Sequence, residues 1–134
     1  MIVVDTNIVV YAIVESPLTR LARRVRELDP EWRIPVLWRY EFLNVLANIL
    51  RRGTVRLAIA ERLWSEAVRL VGDAEQEPDW MKSLSLAAAH SVTAYDAEFI
   101  ALAQSLGVVC VTHDQALLRA FPRETRSMEE FCAA

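Results

Sequence analysis

Ile2-Val3-Val4 is a short, wholly apolar β-type run that ends directly on a carboxylate, Asp5, and passes at once into a helical pattern. A buried strand that ends in Asp places a negative charge at the carboxyl edge of a parallel sheet, where open α/β folds keep their ligands. The same arrangement returns near the other end, where Val108-Val109-Cys110-Val111-Thr112 runs into His113-Asp114. Two strand-end aspartates this far apart imply a site assembled by folding, and an acidic site implies a cation.

Between these strands the apolar periodicity is helical. Ile8 to Val14 forms a short segment, and Leu18, Leu21, Ala22, Val25 and Leu28 keep helical spacing until Asp29-Pro30. Arg33 to Leu37 reads as a second strand despite Pro35. Helices follow over Trp38 to Arg52, closed by Gly53, and over Val55 to Val71, closed by Gly72. Asp73 to Asp79 is a polar, solvated loop with room for a short edge strand. Trp80 to His90 and Thr93 to Leu106 are helical, Gln115 to Ala120 is a short helix, and Thr125 to Ser127 suits a last edge strand. Alternating strands and helices predict one three-layer α/β domain over residues 1–134, with a mainly parallel sheet.

Composition narrows the function classes. An apolar fraction of 54% exceeds the usual range of about 45–50% and excludes disorder. Gly53, Gly72 and Gly107 are the only glycines, so neither a phosphate-binding P-loop nor a dinucleotide fingerprint can be written. Cys110 in a buried strand and Cys132 in the tail make no disulfide framework. No apolar run is long enough to span a bilayer, and the start carries no signal-peptide pattern, so the expected compartment is the cytoplasm. The net charge of −3 argues against nucleic acid only in part: fourteen of fifteen basic residues are arginine, clustered at Arg20, Arg23, Arg24 and Arg26 and at Arg39, Arg51, Arg52 and Arg56.

Taken singly, three acids have ordinary explanations. Asp5 and Asp114 suit helix N-caps, and Asp96 suits the fourth place of a capping box that begins at Thr93. Glu41 is different. It lies among Phe42, Leu43, Val45 and Leu46, with Asn44 and Asn48 completing one polar stripe at i+3 and i+7. A carboxylate in such apolar surroundings is costly to bury unless something pairs with it. Together the four acids can converge on one crevice, where like charges resist ionisation until a cation neutralises them. All-oxygen ligation with few protein ligands suits Mg²⁺ or Mn²⁺, which activate water and stabilise both oxygens of a phosphoryl displacement.

Four segments carry a resemblance. Ile2 to Asn7, Trp38 to Leu46, Tyr95 to Ala103 and Val111 to Leu117 resemble, in order and spacing, the successive motifs of PIN-domain ribonucleases, and more narrowly the VapC toxins of VapBC toxin–antitoxin pairs. The resemblance implies a PIN-like fold with a five-stranded, mainly parallel sheet flanked by helices. It further implies a Mg²⁺- or Mn²⁺-dependent endoribonuclease that acts on RNA, is often a homodimer, and is held by a cognate antitoxin protein. Carried over by motif, Asp5, Glu41, Asp96 and Asp114 are the catalytic, metal-binding acids. Thr6, Asn7 and Thr112 are supporting groups, and Asn44 supports Glu41. Glu98 is expected to point away from Asp96, and His113 to be a surface residue. A nuclease of RNA processing is the alternative. A phosphatase-like or receiver domain ranks below both, because Asn7 stands where the former needs a second Asp and the acidic pair needed by the latter is missing.

Overall fold

The computed structural model describes residues 1–134. At its centre β1 (Ile2–Val4) is buried on both faces, which is why its sequence carries no polar alternation. It pairs in parallel with β2 (Trp32–Arg33) on one side and β3 (Cys110–Val111) on the other, and β4 (Thr125–Arg126) joins β3, again in parallel. The strand order β2-β1-β3-β4 makes one four-stranded sheet with every pair parallel.

Eight helices cover it: α1 (Thr6–Ile13), α2 (Thr19–Leu28), α3 (Trp38–Arg51), α4 (Leu57–Val71), α5 (Trp80–His90), α6 (Ala94–Leu106), α7 (Gln115–Ala120) and α8 (Met128–Ala133). Their apolar stripes meet β1 and β3 in a single core that includes Val3, Ile8, Trp38, Phe42, Phe99 and Ile100. No helix is long and apolar enough to cross a membrane.

Two expectations need correction. The sheet has four strands, not five, and the second strand is cut short. Beyond Arg33 only one bridge forms, Ile34 to Glu75, supported by the Ile34 N–H on Ala74 O at 3.1 Å and the Gln76 N–H on Ile34 O at 2.9 Å. Pro35 follows with no N–H to donate, so the ladder stops there. The edge strand allowed for in the 73–79 loop is reduced to that single contact.

Nor is this loop simply solvated. Glu75 accepts the Trp38 indole N–H at 2.8 Å and Arg39 Nη2 at 2.9 Å. The Arg39 guanidinium beside it holds the Glu75 carboxyl below its ordinary range, against a smaller opposing effect of burial. Asp79 caps α5 through the Met81 and Lys82 N–H groups. The loop therefore pins the start of α3, the helix that carries Glu41.

Glycine ends the helices at 53, 72 and 107, but Gly72 stays right-handed at φ −58° and runs on into a 3-10 turn, Gly72–Ala74. Gly53 and Gly107 take positive φ, of 72° and 67°, just past α3 and at the end of α6, a conformation that costs glycine little. α8 was not foreseen. A capping box starts it, with the Ser127 side chain accepting from the Glu130 N–H and the Glu130 carboxylate accepting from the Ser127 N–H.

Candidate active site

Each of the four acids sits at the N-terminal end of a helix. Asp5 is the N-cap of α1 and Asp114 the N-cap of α7, while Glu41 and Asp96 lie in the first turns of α3 and α6. The capping expectations were thus correct for Asp5 and Asp114. Asp5 Oδ1 accepts the Thr6 N–H at 2.7 Å, and Asp114 Oδ1 accepts from Ala116 at 2.8 Å and Leu117 at 3.2 Å. At α6 the cap is Thr93, which accepts the Asp96 N–H at 3.0 Å. The return bond that would close a capping box is not formed.

Capping does not use up these carboxylates. Asp5, Glu41, Asp96 and Asp114 all line one cleft of about 450 Å³, together with Thr6, Asn7, Asn44, Val10, Tyr11 and Val45. It opens where β1 and β3 end, at the carboxyl edge of the sheet, as the strand-end positions of Asp5 and Asp114 require. Folding has brought together residues more than a hundred positions apart in the chain.

Hydroxyl groups hold the acids in place. Thr112 Oγ1 donates to Asp5 Oδ2 at 2.7 Å and accepts the Asp114 N–H at 3.0 Å, so one buried hydroxyl fixes both strand-end acids. Thr6 Oγ1 donates to Glu41 Oε1 at 2.6 Å and ties α3 to the end of β1. Asn7 Nδ2 donates to Asp5 Oδ2 at 3.4 Å, while Asn7 Oδ1 accepts the His113 N–H at 3.2 Å. The bond on Glu41 thus comes from Thr6. Asn44 stands in the cleft wall, but the expected bond from Asn44 to Glu41 is not made.

Thr112→Val is expected to cost roughly 1–3 kcal/mol in urea unfolding, because it removes the donor to Asp5 and orphans the Asp114 N–H. A cost below about 0.5 kcal/mol would show that the hydroxyl does not tie the two acids together.

The electrostatics are those of a crowded anionic site. Burial pushes the Asp5 carboxyl up to about 7; the Thr112 and Thr6 bonds oppose the rise, and the charges of Glu41 and Asp96 add to it. Burial also raises Glu41, opposed by the Thr6 bond and assisted by Asp96. Asp96 is raised by burial and then by Asp114. Mutual repulsion of this kind is relieved by a divalent cation, and the donor set of carboxylate, hydroxyl and amide oxygens fits a hard one. As they stand, no three of the chain's His, Cys, Asp and Glu side chains are close enough together to enclose an ion.

Other residues fall out differently. Glu98 is half-buried and outside the cleft wall, and its carboxyl is raised by burial and then by the charge of Glu41. His113 is half-buried, with its ring 5.3 Å from that of Tyr11 at an interplanar angle of 87°. Sequence reasoning passed over Tyr11. The signal was present, since Asn7 and Tyr11 are i and i+4 on α1 and must share a face. Arg39, counted among the clustered arginines, is occupied by Glu75.

The parallel α/β sheet thus gathers four acidic side chains in one cleft at its carboxyl edge. The sequence model of the PIN domain matches residues 2–122, and the chain belongs to that family. It is 32% identical over 127 residues to Ribonuclease VapC3 of Pyrobaculum aerophilum, covering 90% of this chain and 95% of that protein. Its fold is shared with the crystal structure of PAE2754 from Pyrobaculum aerophilum, at a TM-score of 0.75 and 23% identity, over 98% of this chain and 92% of the other.

Proposed function

We infer that the protein is a Mg²⁺- or Mn²⁺-dependent endoribonuclease that hydrolyses RNA phosphodiester bonds, and that it serves as the toxin of a type II toxin–antitoxin pair. The observation that carries the nuclease reading is the convergence of Asp5, Glu41, Asp96 and Asp114 on one cleft. Membership of the PIN family and the likeness to a ribonuclease named VapC3 support it. The toxin role rests on that likeness alone, and with it the expectation of an antitoxin partner. A homodimer and a cytoplasmic location belong to the same reading.

Asp5, Glu41, Asp96 and Asp114, which share one cleft, would draw together on a bound ion, and that ion would supply an activated water and charge stabilisation for the displaced oxygen. The chain's own residues do the rest. Thr112 and Thr6 fix Asp5 and Glu41 in single orientations, as a preorganised site requires. Asp5, with its proton held up to about pH 7, is ionised most fully above neutrality, so cation affinity and cleavage rate are both expected to rise with pH through that point.

The test is cleavage of single-stranded RNA by the purified protein with Mg²⁺, with Mn²⁺ and with EDTA. Cleavage with either ion and none in EDTA is expected; cleavage that survives EDTA would overturn the metal assignment. For the toxin role, brief expression of the wild type should arrest growth, and Asp96→Asn should not. Growth unaffected by an active nuclease would favour RNA processing instead.

A further inference from the structure

We propose that a polar cavity beside the acidic cleft is a nucleobase subsite, selecting a guanine next to the scissile phosphate. This rests on the endoribonuclease reading above. The cavity has a volume of about 740 Å³ and is walled by His113, Gln115, Thr125, Arg126, Ser127 and Glu129, among others. Only one of its nine lining residues is hydrophobic, so it is not a greasy groove awaiting a helix.

Its position relative to the acids is fixed by the chain. His113 lies between Thr112, which holds Asp5, and Asp114, which lines the cleft. The His113 backbone is anchored on Asn7, and its ring packs nearly perpendicular to that of Tyr11, itself a wall of the acidic cleft. The Tyr11–His113 pair is therefore the partition between the two spaces. A single strand with one phosphate among the acids puts a neighbouring nucleotide against that partition, where an aromatic ring can stack on its base.

The polar groups specify which base. Arg126 is half-buried, and its Nη1 donates to the carbonyls of Thr125 at 2.6 Å, Pro122 at 3.3 Å and Arg123 at 3.4 Å. Those bonds hold the guanidinium still, while its Nε and Nη2 donate to nothing in the chain. A fork of free donors matches the O6 and N7 acceptors of guanine. Glu129 makes no bond within the chain and offers acceptors for the guanine N1–H and 2-amino group. Glu130 is already committed to the Ser127 N–H at 2.9 Å. Two carboxylates at the cavity repel a phosphate but suit a base that carries both donors and acceptors. Adenine, cytosine and uracil each lack part of that pattern.

The experiment has a cleavage arm and a binding arm. In the first, wild type, Arg126→Gln and Glu129→Gln cleave a randomised single-stranded RNA pool with Mn²⁺, and the cut ends are sequenced. Guanine enrichment at one position flanking the cut is expected in the wild type, falling roughly tenfold in both variants. In the second, the inactive Asp5→Asn protein binds fluorescent hexanucleotides carrying guanine, 7-deazaguanine or inosine at one site. Loss of N7 or of the 2-amino group should weaken binding roughly tenfold. These analogues probe the cavity without altering the fold, and Glu129→Gln changes an exposed side chain if Arg126→Gln folds poorly. Cleavage with no flanking guanine preference, or with one unchanged in both variants, would overturn the subsite and leave the nuclease reading intact. Guanine-dependent binding without any cleavage would do the reverse.

Discussion

Asp5→Asn is expected to lower RNA cleavage by roughly 10³-fold or more, since it removes the most buried of the four acids from a site whose cation supplies several kcal/mol of transition-state stabilisation. It should also leave a signature in stability. In the unfolded chain Asp5 ionises near its ordinary 3.8, whereas in the folded protein it keeps its proton until about 7. A folded-state value raised in this way favours folding most below about pH 4. That advantage is lost as the pH rises through about 7, and the ionised group then costs on the order of 4 kcal/mol if no cation is bound.

Asparagine carries no charge to bury, but it cannot accept from Thr6 and Thr112 with two oxygens. In EDTA the variant should therefore be less stable than the wild type near pH 4 and more stable near pH 8, by about 2 kcal/mol. Thermal melts across pH, with and without Mg²⁺, would read the crossover, and saturating Mg²⁺ should shrink the variant's advantage at pH 8. Parallel stability curves for the two proteins would mean that Asp5 is not held protonated by burial.

Trp38→Ala is expected to cost about 3–5 kcal/mol, a large share of the 5–15 kcal/mol that a domain of this kind possesses. The indole is fully buried, stacks on Trp64 with centroids 5.8 Å apart, meets Phe42 at 5.9 Å and donates to Glu75. Alanine leaves a cavity and removes one of the donors on Glu75. Because Trp38 begins α3 one turn before Glu41, activity should fall further than the folded fraction alone would dictate. Urea unfolding of Trp38→Ala beside Trp38→Phe separates the two effects. The phenyl ring refills most of the space, so only the lost hydrogen bond, at about 1–2 kcal/mol, should remain. A cost under 1 kcal/mol for the alanine variant would show that this corner does not anchor the helix.

What could be read from the sequence was what local chemistry determines. Asp5 and Asp114 were legible because an apolar run ending in Asp is a strand-to-helix junction in any surroundings. Glu41 was legible because its neighbours on α3 are apolar. Trp38 and Glu75 are 37 residues apart, and nothing local in the acidic 73–79 loop shows that one of its carboxylates faces inward. The missing fifth strand has the same origin: two short segments can pair only as far as Pro35 and the placement of Glu75 permit. α8 was overlooked despite a legible signal, the Ser127-to-Glu130 capping box, because so short a helix has weak periodicity. Thr6 as the partner of Glu41 lies beyond sequence reasoning, since it depends on the distance between two helix starts.

The shortness of the outer strands has a further consequence. β2 and β4 each contribute only two residues to the ladder, and just past β2 the 74–76 segment pairs with the backbone N–H and C=O of Ile34. An extended segment from another chain would find scarcely one pair of backbone bonds to copy, too few to add a strand to this sheet. A second chain that met this molecule would find mainly helix faces, where side chains and not backbone groups set the terms of recognition.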